Sequence, residues 1–209
     1  MESIEPIFKK EVYVKKIQKK LPELFQIAEI ESQRGGKIGM EVGTIRERIL
    51  VALLLYVFGE ENVETDIPTT ESEIDVKLYK RPISIKTFTG NKWNSVKLIW
   101  TVDWKMVEDF QRNYSPKYGI LLTHINWGGL GGLYYFSQSS QKHVLNKIGK
   151  GRYIKLPKQG TNPRGVEIST DALKELYLQE DTLEIPITWE KQEIKYNMFN
   201  RWIELWETD

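Results

Sequence analysis

Apolar and polar residues alternate twice in quick succession between Ile74 and Lys86: Ile74, Val76 and Leu78 interleave with Asp75, Lys77 and Tyr79, and Ile83 and Ile85 with Ser84 and Lys86. Period-two alternation predicts half-buried strands. A turn at Lys80-Arg81-Pro82 joins them into a hairpin within the stretch Ser72 to Thr87. A loop centred on Lys80-Arg81 sets Tyr79 opposite Pro82, Lys77 opposite Ser84 and Asp75 opposite Lys86. Directly opposed residues share a face, with Cβ atoms roughly 5 Å apart. A carboxylate and an ammonium therefore meet on the polar face of a hairpin whose other face is apolar. As an exposed cross-strand ion pair this is worth at most ~1 kcal/mol. Its other reading is half of a metal-dependent phosphodiesterase site. A slip of one residue would break the pairing, and Pro82 has no N–H to offer the ladder.

Helical spacing covers the N-terminal part. Residues 3–20 predict a helix with a lysine-heavy face (Lys9, Lys10, Lys15, Lys16, Lys19, Lys20), broken at Leu21-Pro22. Pro22 then opens a second helix running to about Ser32. A third helix spans Gly43 to Phe58, with Thr44 as N-cap and Glu47 three residues on, a capping-box pattern. From Ile49 it is apolar on nearly every side, which predicts a deeply buried helix. Glu47 is either the second half of the capping box or a carboxylate at the core's edge, aimed at the hairpin.

Farther on, strands are expected at 63–67, 96–102, 118–125, 133–136 and 153–156. Helices are expected at 104–113 (capped by Asp103), 138–148 and from Ser169 to about 179. The glycine-rich stretch 126–132 reads as a hairpin connection. It lacks phosphate-loop spacing and a following helix. Tyr196, Phe199, Trp202, Ile203 and Trp206 recur at helical spacing, as core packing or as a dimer surface. Strands and helices mixed in this way predict an α/β fold, with a mixed sheet of about five strands, helices on both sides, and a small extra β element.

Charge and composition narrow the chemistry. The 209 residues suffice for one compact domain, and 30 basic residues against 29 acidic exclude a wholly basic protein while leaving room for a local basic cleft. There is no cysteine, and His124 and His143 are the only histidines, so thiolate and histidine-rich metal sites are not expected. The longest apolar run, Ile49 to Phe58, is too short to span a bilayer. The N-terminus lacks a signal-peptide pattern, and a soluble intracellular protein is expected. Three loops could meet nucleic acid. Gln33–Met40 offers glycine N–H groups with Arg34 and Lys37, and Met40 as an apolar tip or as the first apolar residue of the next helix. Residues 87–94 carry Lys92. Residues 157–165 carry Lys158, Gln159, Asn162 and Arg164, side chains suited to phosphates and base edges and equally to ordinary turns.

A helix acid, then a strand Asp, then a strand ending x-x-Lys: this order resembles the PD-(D/E)xK nuclease superfamily. Carried over, Glu47 is the helix acid, Asp75 the strand acid and Lys86 the lysine that orients the attacking water. Ser84 stands where the family has Asp or Glu, so Glu47 or Glu41 would compensate. Ile74 replaces the family's proline. The segments Gly43-Thr-Ile-Arg-Glu-Arg-Ile-Leu50, Ile74-Asp-Val-Lys-Leu78, Pro82-Ile-Ser-Ile-Lys-Thr87, Ile99-Trp-Thr-Val-Asp103 and Gly160-Thr-Asn-Pro-Arg-Gly-Val-Glu-Ile168 resemble ThaI-type restriction endonucleases more closely. The resemblance implies a restriction-endonuclease-like fold and a type II enzyme of a prokaryotic cytoplasm. It implies a homodimer cutting double-stranded DNA at a short, CG-rich palindrome. It also implies Mg²⁺ held by Asp75, Glu47 and the Ile85 backbone carbonyl. The chain then divides into an N-terminal helical part with the basic loop (1–42), a catalytic core (43–125) and a recognition and dimerisation part (126–209). Two alternatives stay open: a junction-resolving or repair nuclease of the same fold, and a non-catalytic DNA-binding protein with a decayed site, motivated by Ser84.

Overall fold

The lysine-rich N-terminal segment breaks at Lys10, not at Leu21-Pro22. In the computed structural model, which describes residues 3–34, 36–68, 71 and 73–208, Lys10 is extended (φ −83°, ψ 116°) between α1 (Glu5–Lys9) and α2 (Glu11–Glu31). Pro22 sits inside α2, where Ile17, Leu21, Phe25 and Ala28 keep one face on the core and outweigh the loss of a helical hydrogen bond. The basic loop is a minimal hairpin of β1 (Gln33–Arg34) and β2 (Lys37–Ile38). Then α3 (Val42–Phe58) begins two residues before Thr44, with Glu41 at the N-cap and no side-chain cap bond. The expected capping box therefore does not form. Nor is α3 buried all round: Leu50, Leu54 and Phe58 are buried, whereas Ala52 and Tyr56 face outward.

After a 3₁₀ turn (Glu60–Asn62) come β3 (Val63–Glu64), β4 (Val76–Leu78) and β5 (Arg81–Thr89). The predicted hairpin forms, but its turn is Tyr79-Lys80, one residue early. Both residues are left-handed (φ 50° and 62°), the geometry of a two-residue type I′ loop. Tyr79 is held there by the Phe58 ring, 5.8 Å away and edge-on, and by its N–H on the Asn62 carbonyl at 2.8 Å. The pairs are Val76↔Ile83, Lys77↔Pro82 and Leu78↔Arg81, a register two residues from the expected one. Two residues is a full period of the pleat, so each side chain keeps its face. Asp75 and Lys86 become diagonal neighbours instead of directly opposed ones.

The chain continues through β6 (Val96–Ile99), α4 (Trp104–Asn113), β7 (Gly119–Ile125), β8 (Gly129–Phe136), α5 (Gln138–Ile148), α6 (Lys150–Tyr153), β9 (Ile154–Lys155), β10 (Val166–Ile168), α7 (Thr170–Tyr177), β11 (Leu183–Trp189) and α8 (Asn200–Glu207). The main sheet has six strands in the order β11-β8-β7-β5-β4-β3, and β6-β10-β9 form the small extra sheet. Within the main sheet β5 and β7 run parallel and the other neighbours antiparallel. Asp103, Ser137 and Ser169 cap α4, α5 and α7 with their side chains. β8 begins at Gly129, not at Leu133, because a Cβ on Gly131 would collide with the His124 carbonyl and the Trp189 indole. β11, not anticipated, turns Ile185, Ile187 and Trp189 inward and keeps Pro186 outward on an edge strand.

One face of the main sheet packs under α1–α3 through Phe25, Leu50, Leu54, Val76, Ile83 and Trp189. The other packs under α5, α7 and the small sheet through Phe88, Ile120, Phe136, Val144, Val166 and Leu173. Fully burying a large apolar side chain contributes about 1.5–3 kcal/mol, so both layers hold β4 and β5 rigid. Among the described residues no helix is long and apolar enough to cross a membrane.

Candidate active site

Asp75 immediately precedes β4, at the point where the chain enters the hairpin. Its N–H bonds the Ile83 carbonyl at 3.1 Å, and its carboxylate folds back onto β5. There Asp75 Oδ2 accepts from the Ile85 N–H at 2.5 Å and the Ser84 hydroxyl at 3.1 Å, and lies 3.5 Å from Lys86 Nζ. Three donors thus fix one carboxylate oxygen, with side-chain exposures of 14% for Asp75 and 20% for Lys86. Ser84 is fully buried. It is an orienting donor for Asp75.

Glu47 enters from α3 on the other side. With no capping box to serve, its carboxyl meets Asp75. Burial, a hydrogen bond with Asp75 and the Asp75 charge push Glu47 up to about 8, against the opposing pull of Lys86 and Arg48. Two carboxyl groups brought into contact are a hard-oxygen pair whose repulsion a divalent cation would relieve. Among the described residues no group of three or more His, Cys, Asp or Glu could hold a metal. The donor set is two carboxylates, which fits Mg²⁺, an ion that fills its remaining positions with water and phosphate oxygens. The Glu41 carboxylate lies beside Gly39.

The Glu47 shift has a consequence for stability. A carboxyl raised above its unfolded value contributes stability that is full below the ordinary glutamate pKa and lost as pH rises through about 8. Metal-free protein is expected to lose thermal stability between about pH 5 and pH 9. Glu47→Gln is expected to flatten that loss and to melt above wild type at the alkaline end. Melting curves in EDTA across this range check the sign, and parallel profiles for the two proteins would refute it.

The turn of α3 that carries Glu47 is itself anchored. Arg46 is buried and donates from Nη2 to Glu29 Oε1 on α2 at 2.7 Å and from Nη1 to Thr89 Oγ1 at the end of β5 at 3.2 Å. Glu29 also accepts from Trp127 Nε1 at 2.7 Å and Lys191 Nζ at 2.9 Å. Sequence reasoning missed this network, because its members come from five separate segments and no local pattern links them. It also missed Glu73, whose carboxylate accepts from the Tyr118 hydroxyl at 2.8 Å.

Glu47, Asp75, Ser84 and Lys86 are thus brought together. The nucleic-acid candidates fall in three other segments. Lys37 is exposed on β2, and Arg34 lies on β1 with its side chain outside the described part; Met40, just before α3, is 97% exposed. Lys92 is exposed in the loop after β5. Lys158, Gln159, Asn162 and Arg164 are exposed between β9 and β10, and Lys158, Asn162 and Arg164 line one shallow concavity. That loop is docked on β6 and α4 by the Gly165 N–H on the Thr101 carbonyl (2.9 Å) and Trp104 Nε1 on the Thr161 carbonyl (3.2 Å). His124 is buried and stacked on Phe88 at 4.5 Å, with Nε2 on the Gly90 carbonyl, a structural position.

Comparison with known proteins places this geometry in context. Residues 7–208 match the family model described as restriction endonuclease ThaI. A solved structure of a restriction endonuclease in complex with substrate DNA is 54% identical and superposes with a TM-score of 0.90, over 97% of this chain and 98% of that one. No match is found among curated proteins.

Proposed function

This chain belongs to the ThaI family of restriction endonucleases, and we propose on that premise that Glu47, Asp75 and Lys86 are its catalytic centre. It is a type II restriction endonuclease, a site-specific deoxyribonuclease. The observation that carries the residue assignment is the convergence of Lys86 and Glu47 on Asp75, whose orientation Ser84 and the Ile85 N–H fix. Held by Asp75, Glu47 and the Ile85 carbonyl, Mg²⁺ would supply Lewis-acid stabilisation of the charge that develops on the scissile phosphate. Lys86 orients the attacking water and, as an ammonium, favours its deprotonation. Ser84, the motive for a decayed site, acts through Asp75.

The similar enzyme's substrate DNA supports double-stranded DNA as the partner here. In this reading Arg34, Lys37, Lys92 and Lys158 meet phosphates, while Gln159, Asn162 and Arg164 have the geometry to read base edges. Met40 is an apolar wedge for insertion between base steps. One centre per chain and a palindromic site call for a two-fold homodimer. Residues 43–125 form its catalytic core and 126–209 its recognition and dimerisation part. The working compartment is the prokaryotic cytoplasm, where the DNA is.

Incubation of the purified protein with a long natural duplex is expected to give discrete fragments with Mg²⁺ and none with EDTA, and mapping their ends gives the recognised sequence. Fragments in EDTA would overturn the metal assignment. A metal-dependent smear would overturn the palindrome reading.

A further inference from the structure

Among the described residues, two apolar surfaces are left uncovered by the rest of the chain. The first is a groove between α2 and α3, lined by Leu21, Leu24, Ile49, Ala52, Leu53 and Tyr56 and rimmed by Lys16 and Lys20. Leu24 and Tyr56 are 38% and 59% exposed. The second is α8, where Phe199, Trp202, Ile203 and Trp206 form one stripe and no residue is buried. An eight-residue helix is far below the length at which helices persist alone in water. A contiguous exposed stripe of this size marks a contact surface.

We infer that α8 of one chain docks in the α2/α3 groove of a second copy, and the second α8 in the first groove. This rests on the homodimer reading above and names its surface. The path of the chain separates the two surfaces within one molecule. After β11 the tail runs along α2: Gln192 bonds Gln26, Lys191 pairs with Glu29, and Tyr196 then reaches Glu31, the last residue of α2. Arg201 lies close enough to act on the Tyr196 hydroxyl. The tail's last α2 contact before α8 is thus at the C-terminal end of α2, whereas the groove spans Lys16 to Leu24. The charges are complementary. Glu207 borders the stripe, next to Ile203 on the helical wheel, and Lys16 and Lys20 border the groove. An amphipathic helix in an apolar groove is a recurrent recognition mode. Reciprocal docking about a two-fold axis closes the assembly at two copies. Four tryptophans, at ~150–250 Å² each, supply up to about half of a standard ~1,600 Å² interface.

Sedimentation velocity on the full chain tests it, with three variants. Wild type is expected to sediment as a dimer. Trp202→Ala/Trp206→Ala is expected to sediment as a folded monomer, because neither side chain is buried. Lys16→Glu/Lys20→Glu and Glu207→Lys are each expected to be monomeric alone and to form a heterodimer when mixed, since the mixture restores one native and one reversed charge pairing. Failure of the mixture to dimerise overturns the proposal. So does a dimeric tryptophan variant, which would leave the homodimer reading standing on another surface. A monomeric wild type, free and on DNA, would remove the homodimer reading itself. A lower melting temperature of the tryptophan variant without loss of mass would assign α8 to its own chain and overturn the docking in trans.

Discussion

Asp75→Asn is expected to reduce DNA cleavage by about 10³-fold or more, the effect of losing about 4 kcal/mol of transition-state stabilisation. Asparagine is the informative replacement. Its amide oxygen can still accept from the Ile85 N–H and the Ser84 hydroxyl, which donate to Asp75 Oδ2 at 2.5 and 3.1 Å. Alanine would leave both donors buried without an acceptor, at about 1–3 kcal/mol each, and would mix a folding defect with a catalytic one. Asn removes the negative charge that holds Lys86 3.5 Å away and that helps to raise the Glu47 pKa. Glu47 is therefore expected to titrate closer to the ordinary glutamate range in the variant. Single-turnover cleavage at fixed Mg²⁺, alongside a binding measurement on the same duplex, separates the two contributions. Unchanged cleavage by a well-folded Asp75→Asn protein would remove Asp75 from the catalytic centre.

Arg46→Met is expected to cost about 3 kcal/mol or more of folding stability, the lower part of the range for breaking a buried ion pair. For a chain of this size each kcal/mol corresponds to about 2–4 °C, so the melting temperature should fall by roughly 6–12 °C. The cost arises at Glu29, which is 6% exposed and would keep its charge with only Trp127 and the half-exposed Lys191 as partners. Arg46→Met/Glu29→Met removes both charges and should recover most of the loss, as paired apolar replacements of buried ion pairs do. Thermal melts of the two variants decide it, and a single variant as stable as wild type would show that the pair contributes nothing. Activity adds a second readout. Arg46 immediately precedes Glu47 and ties α3 to Thr89 at the end of β5, so a loosened α3 should raise the Mg²⁺ concentration that cleavage needs before it abolishes DNA binding.

Much of this molecule is legible in its residue order. The strands at Val76–Leu78, Arg81–Thr89 and Gly119–Ile125, and the helices capped by Asp103 and Ser169, follow from periodicity and capping chemistry, which act over a few residues. The pairing of Asp75 with Lys86 was also legible, through a register that was off by two residues. That error was harmless because the pleat repeats every two residues. Other features were decided only by contacts between distant segments. The turn falls at Tyr79-Lys80 because Phe58 and Asn62 hold Tyr79 in a left-handed conformation that its sequence does not advertise. Glu47 is freed from capping because α3 starts at Val42, and its pKa is raised by burial and by Asp75, 28 positions later, which lies against it. Ser84 works as a buried donor, and Arg46 as an anchor between α2, α3 and β5. Local sequence sets backbone preference and the face each side chain takes. The acidity of a carboxyl, the partner of a buried charge and the site of a turn depend on what tertiary packing places beside them, and no window of neighbouring residues contains that information.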